Sequence, residues 1–403
     1  MLCRSCQAPD LKSIIPLGNL PLANGLLKGP SFSGEVFYNL EVMLCSSCGL
    51  AQLRDLVDPA LLFSDYVYFS SYSDTMLASA RALVDRLAPT LSPESLVIEV
   101  ASNDGYLLKN YIDHHICVLG IDPAQNIAQV ANKRGIPTLC EFFGESLAQK
   151  LAQEGKKADL LHANNVMAHV PDINGFIAGL KLLLKPSGMA VIEVPYLLDL
   201  VTHHEFDTIY HEHVYYFALH PLRTAFKRHG LELFDIEKLP LHGGTVRLFV
   251  GHDGAHGIQP IVTDMLNAEK ISGILSPETY DSFMTHLKAL KGNLHSLLHR
   301  LKGENKKIAA YGASAKGATL LNFFEVGSKD LTFVVDRSTA KQGLYTPGTH
   351  LPIRPPEALL EEKIDYALLL TWNFAPEIME QQKAFREQDG KFILPLPEVT
   401  LAA

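Results

Sequence analysis

The sequence predicts an α/β protein in three parts, and three observations predict it. Two Cys-x2-Cys knuckles lie near the start, Cys3/Cys6 and Cys45/Cys48. A strand–turn–helix rhythm begins near Leu96, and a second begins near Lys307, each with a glycine-bearing turn after its first strand. Alternation of this kind assembles as a mainly parallel sheet with right-handed crossovers. Two such units behind a small module are in keeping with a chain of 403 residues.

The knuckles come first. Each offers two thiolates to one ion, and four thiolates complete a tetrahedral Zn2+ site with no open position. Cys3, Cys6, Cys45 and Cys48 are therefore expected to hold a structural zinc. The intervening stretch, with Pro16, Gly18, Pro21, Gly25, Gly29 and Pro30, reads as loops and short strands. From Ser73 to Ala88 the pattern is helical, with Met76, Leu77, Ala80, Leu83, Val84 and Leu87 on one face.

In the first alternating unit, buried strands read at 96–100, 118–122, 158–162 and 189–194, and 230–237 and 245–250 supply an antiparallel edge. Residues 261–302 read as helix. There Leu287, Leu290, Leu294, Leu297 and Leu301 form an apolar stripe that suits a packed connecting helix better than a dimer seam. The second unit has strands at 307–311, 331–336 and 366–371, with a small-residue loop Gly312–Gly317 and a helix at 318–324. Both units end their second strand in an aspartate, Asp122 and Asp336, which hints at internal duplication. The resulting division is 1–72, 73–255, 256–302 (helical connector) and 303–403.

Composition narrows the function classes. Hydrophobic content of 47% with 20% charged residues fits a globular protein. A net charge of −9 argues against a nucleic-acid partner, which needs a basic face, while leaving room for a small anion held by local donors. Cys117 and Cys140 read as buried small hydrophobes, and cysteine usage favours a reducing compartment. The N-terminus does not read as a leader, and no apolar run reaches membrane-spanning length. A cytoplasmic monomer without a membrane partner is the expectation.

The loop Glu99-Val100-Ala101-Ser102-Asn103-Asp104-Gly105 has a carboxylate at a strand end, then small residues and a glycine before a helix. That pattern makes a pocket in which a ligand approaches the backbone closely. The loop lacks both the dinucleotide fingerprint and the lysine of a P-loop. Its acids suit a cationic, ribose-bearing ligand such as S-adenosylmethionine, with Asp122 placed to accept from ribose hydroxyls. In the second unit, Gly312-Ala313-Ser314-Ala315-Lys316-Gly317 opens a helix. Small residues, the Ser314 hydroxyl and the Lys316 charge there suit a diphosphate.

Taken with the knuckles, the strings Glu99 to Leu108, Tyr210-His211-Glu212-His213, His242-Gly243-Gly244-Thr245, Gly312 to Gly317, and Asp336-Arg337 with Lys341-Gln342-Gly343 and Pro347-Gly348-Thr349 occur in order along the chain. In this the sequence resembles the nucleotide-sugar C-methyltransferases that act on 4-keto-6-deoxyhexoses. The resemblance implies an N-terminal zinc domain, a central class I methyltransferase Rossmann-like domain and a C-terminal Rossmann-like α/β domain that helps hold the nucleotide sugar. It implies that Glu99, Ala101, Ser102, Asn103, Asp104 and Gly105 cradle the methionine part of S-adenosylmethionine. Asp122 would hold the ribose, Phe142 and Phe143 would lie near the adenine, and Asn164, Asn165 and His169 would line the pocket. S-adenosylhomocysteine would be the product.

A sugar carbon becomes a nucleophile only after losing a proton, and a 4-keto group acidifies C3–H by allowing an enolate. His213 is a base of suitable pKa, Glu212 can orient the sugar or tune the imidazole, and Tyr210 can donate to the developing oxyanion. The same three positions match the family motif, with His213 as base. His203, His204 and His211 flank it as rival bases. One of Tyr66, Tyr68 and Tyr72 is expected to reach the active site. His242, Gly243, Ser314, Lys316, Arg337, Lys341 and His350 are expected along the nucleotide sugar. The leading expectation is thus a C3-methyltransferase of a 4-keto-6-deoxy nucleotide sugar. The alternative is O- or N-methylation of another small molecule on the same scaffold.

Overall fold

A computed structural model describes residues 1–29, 32–63, 71, 74–239 and 244–402. Its strands fall into three sheets. The first, in the order β1-β2-β3-β9, is antiparallel and joins β1 (Leu11–Pro21), β2 (Phe37–Cys45) and β3 (Ala51–Leu53) to β9 (Tyr215–Tyr216). The last strand comes from far along the chain, so the cysteine-bearing module and the segment just after Tyr210–His213 share one sheet.

The second sheet has the order β10-β11-β8-β7-β4-β5-β6. It comprises β4 (Leu96–Val100), β5 (Cys117–Ile121), β6 (Thr138–Leu139), β7 (Ala158–Asn164), β8 (Leu184–Pro195), β10 (Leu231–Leu239) and β11 (Thr245–His252). The strands β6, β5, β4, β7 and β8 run parallel, and β11 pairs antiparallel with both β8 and β10. From β4 the winding proceeds to β5 on one side and to β7 on the other. The crevice beyond the carboxyl ends of β4 and β7 is therefore the switch point, where such sheets bind ligands.

The third sheet has the order β14-β13-β12-β15-β16-β17 and repeats that plan. It holds β12 (Ile308–Tyr311), β13 (Val334–Val335), β14 (Ile353–Arg354), β15 (Tyr366–Leu369), β16 (Lys391–Leu394) and β17 (Thr400–Ala402). All its pairs are parallel except β16 with β17. Its switch point lies between β12 and β15, at the loop Gly312–Gly317. The strand expected over 331–336 contributes only Val334 and Val335 to the ladder. The chain before them instead makes single contacts to β12, such as Thr332 N–H donating to Ile308 O.

The helix Glu278–Gly303 buries Leu287, Leu290, Leu294, Leu298 and Leu301, so the fourth apolar position is Leu298 rather than Leu297, which is partly exposed. This stripe packs inside the chain. It shares one core with Ile15, Leu17, Leu40 and Val42 of the first sheet and with Leu320, Leu321 and Phe324 of the helix Ala315–Phe324. The cysteine module is thereby welded to the C-terminal unit through apolar burial. Cys117 and Cys140, expected to be buried, are exposed. Cys117 is the first residue of β5 and Cys140 follows the edge strand β6, and each thiol makes a long contact to a proline carbonyl, Pro93 and Pro123 respectively. Among the described residues no helix is long and apolar enough to cross a membrane.

Candidate active site

The two knuckles converge. The Sγ atoms of Cys3, Cys6, Cys45 and Cys48 all lie within 4.8 Å of one another, with Cys3–Cys48 and Cys6–Cys45 at 3.6 Å. Tetrahedral zinc with Zn–S bonds of about 2.3 Å requires S···S separations of roughly 3.8 Å, so the set fits that ion. The residue after each second cysteine is left-handed, Gln7 at φ 61° and Gly49 at φ 77°, and turns the chain back over the thiolates. Gln7 N–H donates to Cys3 O and Gly49 N–H to Cys45 O, so the two turns match.

At the switch point of the second sheet, the loop after β4 is coiled by alternating left-handed residues: Ala101 at φ 55°, Asn103 at φ 49° and Gly105 at φ 79°. A Cβ on Gly105 would meet Ile136 Cδ1 at 2.2 Å, so this position demands glycine on two counts. Asp122 closes the loop from β5, accepting Asn103 N–H and Ala124 N–H at 2.9 Å each. Asp336 does the same in the third sheet, accepting Ala313 N–H at 2.9 Å and Ser338 N–H at 2.8 Å. The parallel between the two units thus extends to hydrogen bonding.

The loop's electrostatics ask for a cation. Glu99 is fully buried, and neither carboxylate oxygen has a hydrogen-bond partner among the described residues. Burial, then the charges of Asp122, Glu193 and Asp104, raises its pKa well above the ordinary range. Asp104 is also buried, with Oδ2 taken by Ser71 at 2.5 Å and Arg134 at 2.7 Å while Oδ1 stands without a partner. The unpartnered Glu99 carboxylate and the open Oδ1 of Asp104, beside a tightly wound loop, fit the sulfonium and ammonium of S-adenosylmethionine.

The other expected cofactor residues are more scattered. Phe143 packs edge-on against Phe176, at 5.3 Å between ring centroids, while Phe142 is 61% exposed. Asn164 ends β7 and Asn165 follows it, left-handed at φ 53° with its N–H bonded to Glu193 O. His169, three residues past Val166, is kept neutral because burial lowers its pKa to about 4. Its ring meets that of His213 at 4.8 Å, and this contact joins the cofactor crevice to the Tyr210–His213 segment.

Within that segment each side chain has a distinct anchor. His213 Nδ1 donates to Thr208 O at 2.7 Å, so the neutral ring carries its lone pair on Nε2. The Tyr210 ring lies 4.1 Å from the imidazole. Glu212 is 4% exposed, accepts from Asn24 Nδ2 at 2.7 Å, and has its pKa raised to about 7 by burial. The rival histidines are otherwise engaged. His211 Nε2 donates to Tyr38 O, His204 stacks on His286 at 3.6 Å, and His203 pairs with Glu205.

The C-terminal unit meets the segment from the other side. Trp372 Nε1 donates to Asp207 Oδ2 at 2.7 Å, and Lys316 sits over the Trp372 ring at 5.2 Å. Lys316 also acts on Glu205, whose pKa burial raises to about 7 against the pull of that lysine. Ser314 caps the helix Ala315–Phe324 by accepting Gly317 N–H at 3.0 Å. Lys341 Nζ donates to Ala313 O, and Arg337 is exposed. His350 stacks on Phe32 at 3.8 Å and bonds Glu35 at 2.7 Å, which ties it to the N-terminal module. Tyr66, Tyr68, Tyr72, His242 and Gly243 lie outside the described residues.

The Tyr210–His213 segment, expected to carry the chemistry, lies against His169, expected in the cofactor pocket. Sequence reasoning missed Asn24, Glu205, Asp207 and Trp372, which no local motif marks. The one signal available was that Trp372 is the chain's single tryptophan.

Three family profiles match the chain: a zinc binding domain over residues 3–63, a methyltransferase domain over 72–236 and a C-methyltransferase C-terminal domain over 240–397. C-methyltransferase NovU of Streptomyces niveus is 36% identical over 400 residues, covering 98% of this chain and 95% of that one. Ubiquinone biosynthesis O-methyltransferase of Bartonella bacilliformis is 29% identical over 97 residues, which is 24% of this chain and 39% of that one. Among solved structures, magnesium protoporphyrin IX methyltransferase from Synechocystis PCC 6803 with bound SAH has a TM-score of 0.36 and 14% identity, covering 44% of this chain and 83% of that one.

Proposed function

The chain belongs to the family of S-adenosylmethionine-dependent C-methyltransferases, and on that premise we propose that it methylates C3 of a 4-keto-6-deoxyhexose carried on a nucleoside diphosphate. The observation that carries the reading is the tautomer of His213. With Nδ1–H committed to Thr208 O, the lone pair that takes a proton from carbon is the one on Nε2. Transfer to carbon needs such a base, because a C–H carbon has no lone pair until it is deprotonated. A 4-keto group lowers that barrier by spreading the charge onto its oxygen.

In this reading the C3 proton passes to His213 Nε2, and the C–H electron pair enters the enolate. Tyr210 donates to the enolate oxygen. Glu212, buried in the same segment, orients the sugar hydroxyls. The C3 pair then forms the new C–C bond as the keto group is restored. Bound S-adenosylmethionine supplies the electrophilic methyl group, and S-adenosylhomocysteine leaves. Glu99, Asp104 and Asp122 would hold the cofactor, with Asn164, Asn165 and His169 beside it. Lys316 and Arg337 are the cations on the C-terminal side for a nucleotide diphosphate.

Proton removal can be tested apart from transfer. With S-adenosylhomocysteine bound, the enzyme in D2O should exchange the C3 proton of a dTDP- or GDP-linked 4-keto-6-deoxyhexose, and His213→Asn should not. Exchange at the wild-type rate by that variant would sink the assignment of the base.

A further inference from the structure

We propose that Asn24 is a positioning residue of the active site, contributed by the zinc module to hold the Glu212 carboxylate. The proposal rests on the reading of Glu212 given above. Asn24 lies in the turn that follows β1, 188 residues before Glu212, and its Nδ2 donates to Oε1 at 2.7 Å. Among the described residues no other side chain bonds that carboxylate. An anchor delivered from so far along the chain must itself be fixed, and this one is fixed at both ends. On one side β1 is laddered to β2, whose last residue is the zinc ligand Cys45. On the other, Leu27 and Tyr345 exchange backbone hydrogen bonds of 3.0 Å each, pinning the turn to the C-terminal unit. Gly25 N–H closes the turn on Leu22 O at 2.9 Å.

The surroundings leave this role to Asn24. Tyr210, His211 and His213 flank Glu212 on its own segment, Tyr38 of β2 packs on the neighbouring His211, and His169 bonds the Glu212 backbone from beyond β7. Among the described residues no lysine or arginine acts on the carboxylate, so burial dominates and the Asn24 amide is the group opposing it. A hydrogen bond to the charged form favours that form. Deleting it should therefore make Glu212 harder to ionise as well as looser.

The test is the pH profile of kcat/KM for the full, zinc-loaded chain, measured with S-adenosylmethionine and a 4-keto-6-deoxy nucleotide sugar. Asn24→Ala and the isosteric Asn24→Asp should move the acid limb upward by about one unit or more, with activity recovered at high pH. Asn24→Ser, which keeps a donor, should stay close to wild type. In a Glu212→Gln background, Asn24→Ala should add less than about a twofold loss, since its effect passes through Glu212. Zinc content and Tm establish that each variant is folded; if the alanine variant is not, the aspartate and serine variants carry the comparison. An acid limb unmoved in Asn24→Asp while Glu212→Gln is impaired would overturn the proposal alone. Wild-type turnover by Glu212→Gln would overturn the underlying reading and the proposal with it.

Discussion

His213 and Thr208 are joined side chain to backbone: the imidazole Nδ1 donates to the carbonyl oxygen at 2.7 Å. This bond sets both the tautomer and the plane of the ring, whose neighbours are the rings of Tyr210 and His169. Replacement of His213 by Asn should lower kcat about 100- to 10,000-fold, the usual range for loss of a general base. Binding of S-adenosylmethionine, measured by calorimetry, should change little. Retention of kcat within tenfold would contradict the role.

The carbonyl that orients His213 belongs to the residue next to Asp207, which Trp372 holds from the C-terminal unit. Trp372→Phe leaves a fully buried carboxylate without that donor, a change that costs about 1–3 kcal/mol. The variant should melt lower than wild type and lose kcat about tenfold or more, because the segment bearing Thr208 loosens. A fall in Tm with kcat unaltered would show that Trp372 serves stability alone.

Cofactor binding should be linked to protons. Burial raises Glu99 above the ordinary carboxylate range, and a bound sulfonium or ammonium favours the ionised form. The carboxyl pKa therefore falls on binding, protons are released, and affinity for S-adenosylmethionine weakens as pH drops below the pKa of the free enzyme. Calorimetry in buffers of different ionisation enthalpy reads the release directly. Glu99→Gln should abolish most of it and weaken binding about 10- to 100-fold, equivalent to roughly 1.4–2.8 kcal/mol.

Removing zinc should do more than unfold a peripheral module. The first sheet ends in β9, which immediately follows Tyr210–His213, and its apolar face shares a core with the helix Glu278–Gly303. Elemental analysis should give one zinc per chain. Cys45→Ser or strong chelation should abolish turnover and lower Tm. Full activity after complete zinc loss would contradict this coupling.

Much of this architecture was legible in the sequence because periodicity and spacing are local signals. The strand 96–100, the helix beginning near residue 74 and the cysteine quartet were all read from neighbouring residues. Tyr210, Glu212 and His213 were legible as one contiguous motif. Asn24, Asp207 and Trp372 were not, because their meaning arises only when three sheets pack together. Cys117 and Cys140 were misread for a related reason: residue type predicts burial on average, whereas exposure at the end of a strand depends on how the sheet is covered. Leu298 took the place of Leu297 because adjacent leucines are nearly equivalent in the pattern, and only the packing partners, the first sheet and the helix Ala315–Phe324, decide which of them faces inward.

The most direct measurement is the fate of a 13C-labelled methyl group from S-adenosylmethionine, incubated with a panel of dTDP- and GDP-linked 4-keto-6-deoxyhexoses. The account predicts a product one methyl heavier whose 13C signal couples to a ring carbon at C3. A methyl attached to oxygen or nitrogen, or no product across the panel from enzyme that binds the cofactor, would contradict it.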